Sequence, residues 1–415
     1  MVESTKLVAM VESAEGGGWL ATKGGETDGG MGGANESVVF DLWRQTKIPA
    51  PFVWPRADVL LSSSSAAAAA AREEELDVPA VDLGAALRGA DGMRLAAVQV
   101  AAACASHGFF QVIGHGVDPA LARAALDGAA GFFRLPLATK QRARRAPGTV
   151  TGYTTAHADR FVANLPWKET LSFSHRHDAG AGSNVADYIA STLGNEFKPL
   201  GDVYQAYCEA MEEVSLAIMA VLGESLGLGS AYYREFFADS SSIMRCNYYP
   251  ACPEPERTLG TGPHCDPSAL TVLLQDGDVD GLQVLVGGSW RPVRPKPGAL
   301  VVNIGDTFMA LTNGRYKSCM HRAVVHRERE RRSLAFFLSP REDRVVRPPV
   351  AGACVERRLY PDFTWADLMS FTQRHYRADT RTLDAFARWL RPPACSSGAP
   401  PPPSSPPTAT QQTTV

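Results

Sequence analysis

From Ser241 onward the apolar residues fall into short β-rich runs: SIMRCNYY, ALTVLL, LQVLV, WRPV, ALVVNIG, HRAVV and SLAFFL. Glycine or proline clusters separate several of them, including GGS at 287–289 and RPKPG at 294–298. Many short strands punctuated by turns predict a sandwich or barrel. Upstream the period changes. Residues 93–145 read mainly as helices, interrupted by HGFFQVIGHG, a short strand closing on a glycine turn. Asp118-Pro119 supplies an N-cap followed by proline at the first helical position. Helical spacing predicts a long amphipathic helix from Asp202 to Leu222. Thr364 to Asp367 matches a capping box, opening a C-terminal helix that reaches about Trp389.

Composition narrows the class. The 415 residues are 45% hydrophobic and 20% charged, as in an ordinary globular protein, and allow two or three domains or one large core with appendages. A net charge of −3 gives no reason to expect nucleic acid or an anionic membrane as partner. No apolar stretch approaches the ~20 residues of a spanning helix. The N-terminus, with Glu3, Glu12 and Glu15, makes a poor signal or transit peptide. Eight cysteines without C-x-x-C spacing point to reduced thiols in the cytoplasm. Glycine-rich residues 1–38, the SSSSAAAAAA run at 62–71 and the proline-rich tail from Cys395 have too little apolar side chain to offset the entropy of ordering. There is no internal repeat.

Four motifs compete for the chemistry. Gly223 to Gly227 matches the G-x-S-x-G elbow of a serine hydrolase around Ser225, but an elbow follows a strand, and this one ends a helical segment. His157-Ala158-Asp159 and the pair His175/His177 fall in the helical and loop region, where metal binding is not expected. No H-E-x-x-H occurs. His264 and Asp266 differ, because residues two apart in extended chain point the same way. His321 lies in another strand-like run. Two histidines and a carboxylate on neighbouring strands make the facial triad of a non-haem Fe(II) oxygenase, although imidazole and carboxylate equally suit zinc or manganese.

Arg331-Arg332-Ser333 opens the strand SLAFFL. On a strand Arg331 and Ser333 share a face and offer a guanidinium fork and a hydroxyl to one carboxylate. Periodicity alone does not choose Arg331 over Arg332. Arg245, Asn247 and Tyr249 also alternate onto one face, so Tyr249 adds a further hydroxyl. Together these parts describe a site for iron and a dicarboxylic keto acid.

With those residues in place, the chain resembles the plant 2-oxoglutarate and Fe(II)-dependent dioxygenases. The family's H-x-D…H…R-x-S pattern falls on His264, Asp266, His321, Arg331 and Ser333, and its N-x-Y element on Asn247 and Tyr249. HGFFQVIGHGVD (107–118) resembles the family's N-terminal domain. LPWKET (165–170), NYYPACPEPERTLGTGPHCDP (247–267) and IPAPFVWP (48–55) resemble the gibberellin 20-oxidase branch, in a grass version. Ser268-Ala269, Leu274 and the loop SHRHDAGAGSN (174–184) depart from that pattern.

The resemblance implies an α+β fold, a double-stranded β-helix (jelly-roll) core with a helix-rich N-terminal domain and C-terminal helices. It divides the chain into a mostly disordered extension (1–75) containing the 40–55 segment, an N-terminal domain (76–235), the jelly-roll domain (239–340), a helical segment (341–394) and a disordered tail (395–415). It implies Fe(II) on His264, Asp266 and His321, the co-substrate 2-oxoglutarate on Asn247, Tyr249, Arg331 and Ser333, with Arg331 essential to turnover, and ascorbate as reductant. The implied reaction is stepwise oxidation and removal of carbon 20 of C20 gibberellins with dioxygen, by a cytoplasmic monomer needing neither nucleic acid nor membrane. Within LPWKET two readings stand: Trp167 and Lys168 wall the substrate, or Trp167 packs the helical domain onto the barrel. Alternatives to the reaction are a sister oxygenase acting on a flavonoid or another gibberellin position, and a catalytically inactive jelly-roll binding protein.

Overall fold

The computed structural model describes residues 40–60, 75–158, 163–176, 184–277, 279–349, 358–375 and 381–390. The glycine-rich start, the Ser/Ala run and the proline-rich tail lie outside them. An eight-stranded sheet and a four-stranded sheet are built from β1 (Ala80–Asp82), β2 (Phe109–Ile113), β3 (Gly152–Thr155), β4 (Glu169–Arg176), β5 (Ser241–Tyr249), β6 (Thr261–His264), β7 (Leu270–Gln275), β8 (Leu282–Val286), β9 (Ser289–Pro292), β10 (Leu300–Ile304), β11 (His321–Ala323) and β12 (Arg331–Ser339). The large sheet runs β1-β2-β10-β7-β12-β5-β4-β3 and the small one β6-β11-β8-β9. A core of Phe109, Val301, Leu282, Val284 and Val293 packs one sheet on the other, as the expected jelly roll requires.

The two-residue period sorts each strand of the large sheet between two environments. On β12, Leu334, Phe336 and Leu338 join the core beneath the helices, as do Met244, Cys246 and Tyr248 on β5. The intervening positions, Arg331, Ser333 and Phe337 on one strand and Ile243, Arg245, Asn247 and Tyr249 on the other, are left for the opposite face. Register places Arg331 opposite Tyr249 and Ser333 opposite Asn247. A slip of one residue would exchange the two sets, so the buried helix-side face fixes which polar groups reach the site.

The helices Ala90–Ser106, Pro119–Arg134 and Lys198–Ser225 supply the other side of that core. Asp118 caps the second, its side chain accepting from the Ala120 N–H at 2.8 Å, with Pro119 following. The third outruns the expected 202–222 at both ends. Among the described residues no helix is long and apolar enough to cross a membrane.

Two expectations are corrected. The C-terminal helix is a pair, Trp365–His375 and Thr382–Leu390. Its capping box is made reciprocally, Thr364 N–H to Asp367 Oδ2 at 2.9 Å and Asp367 N–H to Thr364 Oγ1 at 3.2 Å. Phe371 and Phe386 lie 5.3 Å apart, ring centre to ring centre. One continuous helix would separate them by roughly 22 Å, so the pair gains a shared apolar contact by folding back. The second correction concerns His175, which sits on β4, a strand of the large sheet, and not in a helical or loop region. Leu171 and Phe173 alternate with Thr170 and Ser172 there, a strand signal at the end of LPWKET. His175 is buried, with Nε2 3.0 Å from Glu212 Oε2, an interior polar pair between β4 and the long helix. His177 lies outside the described residues.

Candidate active site

Strands β6 and β11 pair antiparallel with His264 directly opposite His321. His264 ends β6, and Asp266 follows in the turn before β7. The Asp266 carboxylate lies between the two rings, Oδ1 3.5 Å from His264 Nε2 and Oδ2 3.6 Å from His321 Nε2. All three potential ligand atoms fall within 4.8 Å of one another, the single such group of three among the described residues.

The surroundings orient these atoms. His264 Nδ1 is 2.9 Å from the Gly262 carbonyl and His321 Nδ1 3.2 Å from the Cys319 carbonyl. A carbonyl only accepts, so each Nδ1 carries the proton and each Nε2 presents a lone pair. Burial, reinforced by His264 beside it, pushes His321 down to about 4, leaving a neutral imidazole at physiological pH. Burial alone would raise Asp266. The imidazoles of His321 and His264 and the bond from Thr271 outweigh it and hold the carboxyl well below the usual carboxylate range. Thr271 Oγ1–H and the Asn303 amide donate to Oδ2 at 2.6 and 2.9 Å. Two imidazoles turned by their Nδ1 bonds to carbonyls and an ionised, oriented carboxylate fit an Fe(II) facial site.

Arg331 is 2% exposed. Its Nη2 donates to Gln275 Oε1 at 2.8 Å, and its guanidinium lies 5.2 Å from the centre of the Tyr249 ring. Its Nε has no partner, and no described carboxylate pairs with it. Asp276 and Asp280 act on this buried cation only from beyond pairing distance, so the pocket suits an anionic ligand that meets it directly. Across the register, Asn247 Nδ2–H donates to Ser333 Oγ at 3.3 Å, and the Tyr249 hydroxyl lies 3.3 Å from Thr261 Oγ1. Arg332 points the other way, its Nε donating to Asp276 at 2.9 Å with Asp127 of the helix at 3.5 Å. The alternation left open by periodicity is thereby resolved: Arg331 and Ser333 share the face of Asn247 and Tyr249.

A cavity of about 760 Å³ opens over His264 and Asp266, lined also by Trp54, Lys168, Arg245 and Phe337 and by Met369 of the C-terminal helix. Lys168 is buried, its Nζ 3.1 Å from Thr261 Oγ1. Burial pushes its ammonium well below the ordinary lysine range, and Arg245 and Arg145 push the same way against Asp266. Trp167, the residue before it, is 0% exposed and meets Phe52 edge-on at 5.3 Å in a satellite core with Leu42, Ile48 and Leu165. Trp167 is therefore packing, and its neighbours Pro166 and Lys168 reach the cavity. Trp167→Ala is expected to cost about 3–5 kcal/mol of stability, read by chemical denaturation.

The remaining sequence candidates separate from the metal trio. His157 lines the cavity with its Nδ1 3.0 Å from Arg145 Nη2, while Asp159 lies outside the described residues. Ser225 ends the long helix, its hydroxyl donating to Leu222 O at 2.8 Å and lying 2.8 Å from the Tyr316 hydroxyl. That is a helix terminus, not an elbow. Sequence reasoning missed Thr271, Asn303 and Gln275. The only available signal was their position on β7 and β10, next to β12 or to each other in the sheet.

Residues 240–340 match the 2OG-Fe(II) oxygenase superfamily, and residues 78–188 match the non-haem dioxygenase in morphine synthesis N-terminal family. The chain is 68% identical to Gibberellin 20 oxidase 2 of Oryza sativa subsp. indica over 369 residues, 89% of this chain and 92% of that protein. It is 49% identical to Gibberellin 20 oxidase 1 of Arabidopsis thaliana, over 88% of this chain and 95% of that one. Among solved structures it is similar to JOX2 in complex with 2OG, Fe and JA (TM-score 0.66, 29% identity, 84% of this chain and 95% of that one). A dioxygenase for auxin oxidation in rice is also similar (TM-score 0.61, 30% identity, 75% and 99%). Triad, buried arginine and these relationships agree: the chain belongs to the 2OG-Fe(II) oxygenases and, within them, to the gibberellin 20 oxidases.

Proposed function

We propose that this protein oxidises carbon 20 of C20 gibberellins in successive steps and removes it to give C19 gibberellins, each oxidation coupled to conversion of 2-oxoglutarate and dioxygen to succinate and carbon dioxide. The observation that carries this reading is the 68% identity, across 89% of the chain, to a rice protein named for that activity. His264, Asp266 and His321 hold the Fe(II), which when bound supplies the dioxygen activation. Arg331 and Ser333 receive the far carboxylate of 2-oxoglutarate, Asn247 fixes the Ser333 hydroxyl, and Tyr249 braces the guanidinium. The protein's own contribution is to fix the substrate carbon over the metal face and exclude water there. Ascorbate serves as reductant, and the protein works as a cytoplasmic monomer; the six described cysteines, all free thiols, support a reducing compartment. The extension, helix-rich, jelly-roll and C-terminal segments are proposed to divide near residues 75, 235, 340 and 394.

Offering the enzyme a panel of C20 gibberellins, C19 gibberellins and flavonoids, with Fe(II), 2-oxoglutarate and ascorbate, tests this reading. Consumption confined to C20 gibberellins is expected; preferential turnover of a flavonoid would assign a sister activity instead.

Lys168 is the side chain proposed to meet a substrate carboxylate, since it is buried at the cavity, is bonded to a neutral hydroxyl, and would regain from that carboxylate the charge that burial disfavours. Lys168→Ala is expected to raise the KM for gibberellin by roughly tenfold or more, the equivalent of one charge-assisted hydrogen bond at ~1.5–3 kcal/mol. The KM for 2-oxoglutarate and its turnover without gibberellin should stay at wild-type values. Steady-state kinetics on both substrates checks the split.

A further inference from the structure

Chain ahead of the matched residues 78–188 walls the cavity through Trp54, Pro55 and Asp58. Trp54 is held on several sides. Its backbone N–H donates to Arg257 O at 3.0 Å, and its indole Nε1–H donates to Leu165 O at 3.1 Å. Its ring lies against Gly262: a Cβ built on that glycine would stand 2.1 Å from the indole Cη2. Glycine two residues before His264 therefore makes room for a tryptophan. One turn later the Asp58 carbonyl accepts from Arg322 Nη1 at 2.6 Å. Arg322 follows His321 and is itself buried, donating to Gln283 Oε1 at 2.8 Å and lying 4.2 Å from the centre of the Trp290 ring. Both histidine-bearing strands thus grip this segment, β6 through Gly262 and β11 through Arg322. A return bond from Leu165 N–H to Pro51 O at 2.9 Å stitches it to LPWKET as well.

Two tryptophans in this region play different parts. Trp167 is wholly covered and does not line this cavity. Trp54 keeps 8% of its surface, and it lines the space above His264 and Asp266 together with apolar Ile243 and Phe337. Such multiple anchoring is what a rigid recognition surface needs, because a wall already fixed in place costs little further ordering when substrate arrives.

We infer that Trp54 is a specificity-determining residue: its indole is the apolar wall against the fused rings of the gibberellin, a role that rests on the reaction assigned above. The co-substrate makes no use of this wall, so the effects of changing it fall on gibberellin alone.

Kinetics of Trp54→Ala and Trp54→Phe with a C20 gibberellin, beside 2-oxoglutarate turnover without gibberellin and thermal melting, tests the assignment. The KM for gibberellin is expected to rise about tenfold in Trp54→Ala and about threefold in Trp54→Phe, which keeps one ring but loses the Nε1–H bond. Uncoupled turnover and the KM for 2-oxoglutarate should not move. An unaltered gibberellin KM in the folded variants overturns the inference, and so does a parallel fall of coupled and uncoupled activity, which would mark the indole as scaffold. Should Trp54→Ala fail to fold, Trp54→Phe decides by the same criteria. The wild-type control keeps the two assignments distinguishable: if it consumes 2-oxoglutarate but leaves every gibberellin intact, the reaction itself is wrong.

Discussion

Replacing any one of His264, Asp266 or His321 by alanine is expected to lower turnover by at least about 100-fold while the protein stays folded. Loss of a partner that merely orients a metal ligand already costs 10–100-fold in affinity or activity, and loss of the ligand itself costs more. The fold should survive because each substitution leaves the sheet pairing of β6 with β11 and the core between the sheets intact. Metal binding supplies a readout independent of catalysis. Anaerobic Fe(II) at about 100 times its Kd should stabilise the wild type by about 2.7 kcal/mol and the three variants hardly at all. Thr271→Val and Asn303→Leu remove the two donors to Asp266 Oδ2 and should weaken metal binding by roughly 10–100-fold. His157→Ala should leave metal binding unchanged. A triad variant with near-normal iron-dependent turnover, or with an undiminished metal-induced shift in melting, would remove that residue from the metal site.

Arg331→Ala should raise the KM for 2-oxoglutarate by roughly tenfold or more, from loss of a charge-assisted pair at ~1.5–3 kcal/mol. Arg331→Lys should recover little of it, since an ammonium cannot reproduce the planar fork. Arg332→Ala is the control. Its guanidinium faces the helices and pairs with Asp276 and Asp127, the latter 66% exposed. The exposed Asp127 pair contributes about 0–1 kcal/mol, while the Asp276 pair at 2.9 Å, 22% and 18% exposed, contributes more, so Arg332→Ala should cost some stability but hardly change the KM for 2-oxoglutarate. Titrating 2-oxoglutarate against both variants checks the pair; a large effect at Arg332 with none at Arg331 would mean that the strand presents its opposite face to the co-substrate.

Much of this site was legible because a strand's geometry is a rule of two. R-x-S and N-x-Y each place their side chains on one face of a strand, and the apolar positions between them, Leu334 and Phe336 or Cys246 and Tyr248, mark the other, while Asp266 of H-x-D stands in the turn just past the end of β6. What the rule cannot supply is register between distant strands. Arg331 and Arg332 became distinguishable only when β12 was set against β5. Asn303 reaches Asp266 through the neighbouring strands β7 and β10, a contact that no local pattern encodes. The C-terminal helix was read as one because a capping box marks a start and carries no information about a later break. LPWKET enters β4 only at Glu169, so Trp167 and Lys168 stand ahead of its alternation. Its division into a packed Trp167 and a cavity-facing Lys168 depends on Phe52, more than a hundred positions away.

The account is tested most directly by following the products formed from a single C20 gibberellin bearing a methyl group at carbon 20, by mass spectrometry, with Fe(II), 2-oxoglutarate and ascorbate. The expected result is the successive appearance of the alcohol, the aldehyde and a C19 gibberellin, with succinate formed at each oxidation. Hydroxylation at another ring position with carbon 20 retained, or succinate formed while the gibberellin remains unchanged, would contradict it.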